Sequence, residues 1–446
     1  MCDDEKEARS PAAYIQLSAK GPEDEILYGD TDECHPQFSI KHKRHSHMAT
    51  YEKVYPFINK LSFNKTTQGN VVIPENGDAF ITNMYLHLNV QQFLKSGTNI
   101  NGATVPYYVK NLLGLRCIKR LKIFTSRVTL CDLDADGLYI ILQSFYGNKP
   151  GFAAMIGDYD ITDPQLVSHV LTPHMYIPLP LWFAETHKEK FPLCLMEKDS
   201  IQVSIEFDKV TNNVELHPSE DFRIKIKLSN NGFEVSIEIQ VEYPESDLAS
   251  SYEYSGSLAS EHFGELLVHY AIPSEDELKM IKDDRTMEYV APLIIKLTDG
   301  IHLKNQNDGN GSAGIGHISL NTLHLPVKVI FFVIKSAVNE KLEPFEFQEI
   351  TSVQINDKSI DPGDLQNVQP YFHGYNIMPN VYSLCASLEP NSAHPSGHMY
   401  FGSNDFIQVK TSIDLDHNYS NKYVHAYAIC HNVYKFANGQ FINCFV

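Results

Sequence analysis

The sequence predicts an all-β chain built as two antiparallel β-sandwiches, roughly 48–273 and 288–446, joined by a short helical linker at 274–287. Three observations predict it. Runs with an apolar residue at every second position recur along the chain, divided by Gly, Pro, Asn and Asp. Aromatic content is 11 %, with 24 Tyr and 24 Phe, residue types that suit a pleated, half-buried surface. At 446 residues the chain is too long for one ordinary core, and its best helix candidate falls near the middle.

Residues 1–11 are polar and acidic and carry no structural signal. The clearest strands lie at 222–243. "FRIKIKL" alternates Phe222, Ile224, Ile226 and Leu228 with Arg223, Lys225 and Lys227. "SNNG" follows, and "FEVSIEIQVEY" alternates again with Glu234, Glu238 and Glu242 on its polar side. Asn and Gly tolerate left-handed backbone, so the chain can reverse there with both apolar faces on one side. The Lys and Glu faces would attract across the hairpin. Further strands are expected at "SIQVSIEF" (200–207), "ELLVHYAI" (265–272), "VKVIFFVIK" (327–335), "DFIQVKTSIDL" (405–415) and "YVHAYAICHNVYKF" (423–436). "RLKIFTSRVTL" also reads as strand. Long helical periodicity is nearly absent. The helix candidate is "SEDELKMIKDD" (274–284), with Ser274 as cap, acids in the first turn and lysines later, as the helix dipole favours.

The charge balance, 36 Lys+Arg against 55 Asp+Glu, gives −19. That excludes general wrapping of nucleic acid, which needs clustered cations, and no sequence-specific nucleic-acid contact is expected. Eight cysteines are scattered with no C-x-x-C pair, and several lie in apolar runs, so buried free thiols are expected. No signal peptide and no membrane-length apolar run is visible, so synthesis in the cytosol is expected and the sequons at Asn64, Asn310 and Asn418 read as chance matches.

Motifs for chemistry are weak. "DLDADG" (132–137) spaces Asp132, Asp134 and Asp136 like a calcium loop, but the closing position is Gln143 and a strand precedes it; an acidic surface loop is the expectation, with a bound cation left open. "GNGSAG" (309–314) matches a dinucleotide fingerprint, but polar residues precede it and a strand-like run follows, so a hairpin loop is expected. No nucleophile elbow, P-loop or metalloprotease helix is present, and no catalytic residue, cofactor or resident metal is expected. The one dense cationic segment is 41–47: Lys41, His42, Lys43, Arg44, His45, Ser46 and His47. Apart from Cys34 and His35 upstream, no Cys or acidic residue completes a recognisable zinc spacing with its histidines. It reads as an interaction or packing segment.

Six blocks, in order, resemble the major capsid proteins of nucleocytoplasmic large DNA viruses. They are "AAYIQLSAKGPEDEILYGDTDECHPQFSIKHKRHSHM" (12–48), "VVIPENGDAFITNMYLHLNV" (71–90), "YIPLPLWFAETHKEKFPLCLMEKDSIQVSIEF" (176–207), "LHLPVKVIFFVI" (323–334), "SLEPNSAHPSGHMYFGSND" (387–405) and "YAICHNVYKFANGQ" (427–440). The resemblance implies two eight-stranded antiparallel jelly rolls in tandem, a double jelly roll. It also implies a structural, non-enzymatic role: homotrimers of pseudo-hexagonal outline tiling an icosahedral shell, in a virion assembled in host cytoplasm. Residues 1–47 would form an arm before the first roll. Lys41, Lys43, Arg44, His45 and His47 would then meet neighbouring capsomers, minor capsid proteins or an internal membrane surface. The chain departs from the family at 125–145, which lacks the usual Gly pair and Trp, and at 402–405, which lacks an Arg. A lectin-like attachment sandwich and a membrane scaffold of the same double roll are the rival readings.

Overall fold

The computed structural model describes residues 48–444 apart from internal stretches, chiefly 62–65, 90–97, 159–173, 185–189, 209–213, 217–222, 241–263, 308–311 and 413–420. The first sandwich has eight principal strands: β1 (Ala49–Pro56), β2 (Thr67–Ile73), β3 (Phe80–Asn89), β4 (Ile118–Phe124), β5 (Thr129–Asp134), β6 (His174–Pro178), β7 (Ile201–Phe207) and β8 (Gly264–Ile272). They form two four-stranded sheets, β1-β8-β3-β6 and β2-β7-β4-β5. Strand 1 pairs with 8, 2 with 7, 3 with 6 and 4 with 5, all antiparallel. This is one long hairpin rolled over itself, the jelly-roll order.

The second sandwich repeats that order. Its strands are β9 (Thr286–Lys296), β10 (Ser312–Ser319), β11 (Val327–Val338), β12 (Ser352–Ile355), β13 (Lys358–Ile360), β14 (Tyr382–Cys385), β15 (Phe406–Ser412) and β16 (Lys422–Ala437). The sheets run β9-β16-β11-β14 and β10-β15-β12-β13, with short strands added at the edges. The expected tandem of eight-stranded jelly rolls is therefore the fold.

Period-two burial explains the first core. Along β7, Ile201, Val203, Ile205 and Phe207 are buried, and the residues between them are not. The 222–243 hairpin forms as Arg223–Asn230 against Phe233–Gln240, in a register that sets Lys225 opposite Glu238. The linker helix, α2 (Glu275–Asp283), follows a capping box: Glu277 N donates to Ser274 Oγ, and Ser274 N donates to Glu277 Oε2, both at 3.4 Å.

Two sequence expectations are corrected. The stretch after β5 is not a surface loop but α1 (Ala135–Tyr146), a helix of 12 residues. It is buried on most sides, so its run "LYIILQSFY" lacks the polar stripe by which an amphipathic helix is recognised. The hairpin loop expected at 309–314 gives way to strand sooner than read: Ser312, Ala313 and Gly314 already belong to β10, whose start pairs with Lys304–Asn307. Gly314 of "GNGSAG" thus lies in a strand, while Gly309 and Gly311 lie outside the described residues. Among the described residues the motif leads into a strand, where a dinucleotide fold needs a helix.

Among the described residues, Cys117, Cys131, Cys194 and Cys430 are buried and free, Cys385 is half-buried, and Cys444 is exposed. The "SLEPNSAHPSGH" block folds back on itself through Ser387 Oγ and Ser396 Oγ, 2.7 Å apart. Gly397 there has φ +136°, and a Cβ would sit 2.4 Å from Ala386 O, so only glycine fits. At 402–405, Asp405 holds the turn by accepting from Gly402 N (2.5 Å) and Asn356 Nδ2 (2.8 Å).

Candidate functional site at the junction between the rolls

The chemistry-bearing residues that the fold brings together lie where the rolls meet. The central strands of the second roll, β11 and β16, are buried on both faces. Ile330, Phe332, Ile334, Ala426 and Ala428 fill the second roll's own core. Phe331, Val333, Tyr427 and Ile429 point the other way and join the first roll's core. α1 lies against that second face, with Phe145 edge-on to Phe331 at 6.2 Å.

The acidic motif that leads into α1 carries the polar part of the junction. Asp134 is the helix N-cap: Gly137 N donates to its Oδ1 at 2.9 Å. Tyr427 donates its hydroxyl to the same oxygen at 2.7 Å, and Lys296 Nζ lies 2.8 Å from Oδ2. Burial pushes this carboxyl up, but the Lys296 charge and hydrogen bond, with the Gly137 and Tyr427 donors, outweigh it and hold it below the usual carboxylate range. Asp136 is buried. It accepts from Lys335 Nζ, and from Phe345 N at 2.9 Å. Lys335 is 3 % exposed, so the pair is a buried ion pair. Gly137 permits the close approach, because a Cβ there would lie 2.5 Å from the Tyr427 ring.

These contacts settle "DLDADG". Asp132 faces outward on β5 and pairs with both Arg120 Nε (2.7 Å) and Arg120 Nη2 (2.9 Å). The three carboxylates thus turn to three different cations, and Gln143 lies on α1. They do not converge on one ion, which corrects the surface-loop reading and leaves no calcium loop. The missed partners, Lys296, Lys335 and Tyr427, carried one faint signal: a lysine closing the apolar run "VKVIFFVIK" needs a buried counter-charge. Lys41, Lys43, Arg44, His45 and His47, together with His42, lie outside the described residues.

Beside the ion pairs runs an aromatic layer. Trp182, the only Trp, stacks on Tyr434 at 5.3 Å and 11°, and lies 6.0 Å from Tyr289. Phe191 packs edge-on to Phe436 and Phe441, at 5.5 and 5.3 Å. A cavity of about 10 Å³ remains between Leu130, Ile141, Phe145, Trp182, Ile294 and Ile429. That is room for about one water and far below the several hundred Å³ of a ligand pocket. The junction is closely filled, and what its contacts do is join the two rolls.

His431, also on β16, gives the joined fold an acid limit. Burial, aided by the nearby Lys328 charge and by His398, pulls its imidazole down from 6.5 to about 4, with the Gly397 backbone opposing. Unfolded, the imidazole takes its proton near 6.5; folded, only near 4. The unfolded state binds more protons throughout that window, so stability is complete above 6.5 and falls as pH drops towards 4. Melting curves between pH 7 and 4 should show this loss, and His431→Gln should flatten it. An unchanged slope would assign the acid limit elsewhere.

Residues 37–243 match the family described as major capsid protein N-terminus. Among solved structures the chain is similar to the PBCV-1 capsid protein VP54, as fitted into a reconstruction of the virophage Sputnik: 14 % identity over 92 % of this chain and 100 % of that one, TM-score 0.63. It is similar to the Faustovirus major capsid protein, at 12 % identity over 89 % and 92 % of the two chains, TM-score 0.56. The mavirus major capsid protein is similar at 10 % identity over 93 % and 94 %, TM-score 0.50. No curated protein sequence matches the chain.

Proposed function

We propose that this chain, a double jelly-roll capsid protein of the virion shell, builds that shell as homotrimers of hexagonal outline. The observation that carries the reading is the repeated strand order. One chain holds two wedges of the same topology, so three chains present six similar wedges and can tile a hexagonal lattice. The junction supports it. A wedge pair serves as a rigid tile only if its two halves do not swing, and the buried ion pair and aromatic layer hold them together.

The arm, 1–47, supplies what the acidic rolls lack. With a net charge of −19, copies of the chain repel one another until specific contacts form. Lys41, Lys43 and Arg44 suit acidic surfaces of neighbouring capsomers, minor capsid proteins or the anionic headgroups of an internal membrane. His45 and His47 add charge as pH falls through neutrality.

Light scattering tests the reading. Three chains of 50.6 kDa should give a particle of about 150 kDa, hexagonal in negative stain. A chain lacking 1–47 should still form trimers but fail to build shells. A full-length chain that stays monomeric at all concentrations would overturn the trimer, and loss of trimers on deletion would make the arm part of the fold.

A further inference from the structure

The two rolls are one wedge repeated, and within the chain they meet through a one-way contact. The helix after the fifth strand of the first roll, α1, lies on the outer face of the second roll's β9-β16-β11-β14 sheet. The second roll has a helix at the same topological place, α3 (362–373), between β13 and β14. Its apolar side chains are uncovered. Tyr371 is 80 % exposed, Phe372 71 % and Val368 54 %.

A local cause puts them outside. An α-helix buries residues at i, i+3 and i+7, here Leu365, Val368 and Phe372. Residues Asp364–Val368 instead form a π-helical turn, and the buried residues are Leu365 and Pro370, five apart. Pro370 has no N–H to give to the ladder, which favours the break. The turn rotates the apolar face out to solvent. Residues 365–379 contain no Asp, Glu, Lys or Arg, in a chain of net charge −19. Apolar, aromatic and uncharged is the composition of an interface core.

The face that would receive such a helix exists and, among the described residues, is open. In the second roll, outward residues such as Phe331 and Tyr427 are covered by α1. In the first roll, the equivalent sheet β1-β8-β3-β6 places Val54, Leu267 and Tyr85 side by side across three strands. Their neighbours Leu266 and Val268 are buried inward, so these three point out. Val54 is 45 % exposed, and Tyr176 on β6 is 37 % exposed. An outer sheet face is normally polar; this one is half apolar.

We propose that α3 of one copy docks on the outer face of β1-β8-β3-β6 of a second copy, repeating between chains the contact that α1 makes within one. The occupant is a second copy because the receiving face is the structural equivalent of one that already accepts such a helix in this chain. The uncharged helix also lets two acidic chains approach without repulsion. Made three times, this head-to-tail contact closes a ring of six rolls. The inference rests on the trimer reading and names its interface.

Two variants separate helix from face. Y371S/F372S removes the helix's apolar side chains, and V54E/Y176S disrupts the receiving face. All four positions are exposed, so both variants should fold, with far-UV dichroism and melting as in the parent chain. By light scattering, each variant alone should fall from about 150 kDa to the 50.6 kDa monomer. An equimolar mixture should give dimers near 100 kDa, since one intact face and one intact helix remain. Trimers in either folded variant overturn this inference and leave the trimer standing, as does a mixture that stays monomeric. A parent chain that is itself monomeric overturns the trimer reading instead.

Discussion

Replacing Asp136 by alanine is expected to cost about 3–5 kcal/mol of unfolding free energy, the usual penalty for removing one partner of a buried ion pair. Lys335 would keep its charge at 3 % exposure with its carboxylate gone, and Phe345 N would lose its acceptor. Lys335→Met should cost a similar amount by stranding the carboxylate. Removing both charges should cost much less. In Asp136→Leu with Lys335→Met, the desolvation of two ions disappears along with their attraction, so the double variant should recover most of the loss. Chemical denaturation at one fixed protein concentration measures all four forms of the cycle, because association would otherwise shift the midpoints. A single variant within about 1 kcal/mol of the parent would show that the pair contributes little to joining the rolls.

Trp182→Ala should be comparably damaging, at about 3–5 kcal/mol, because it empties a large buried volume between two domains. The ring touches Phe183 and Phe191 of its own roll and Tyr289 and Tyr434 of the other. The residue also supplies the probe. As the only Trp, its fluorescence reports the junction alone. In the parent chain its unfolding transition should coincide with that seen by far-UV dichroism, since the rolls share one core across the junction. A fluorescence change that precedes the loss of strand signal would mean that the rolls part before they unfold. In that case the junction is a hinge rather than a weld.

Much of the fold was legible from local pattern. β7 and the 223–240 hairpin follow from period-two alternation, and the register sets Lys225 opposite Glu238. The capped linker helix was legible from Ser274 and Glu277. α1 was not. It is buried on most sides, so its sequence has no polar stripe, and its two N-terminal acids look solvated. The apolar runs of β11 and β16 showed that strands were present, but not that each served two cores.

By itself, the sequence determined an acidic two-sandwich chain, its strands, its linker, its likeness to viral shell proteins and a cationic segment at 41–47. Only the tertiary structure decided what the acidic motif is for. Asp136 and Lys335 are 199 residues apart, and Asp134 and Tyr427 are 293 apart. Whether a carboxylate is a surface charge, a metal ligand or half of a buried pair depends on which cation the fold brings within about 3 Å. Local periodicity carries no information about that, because such pairing is set by how sheets stack and not by the residues on either side.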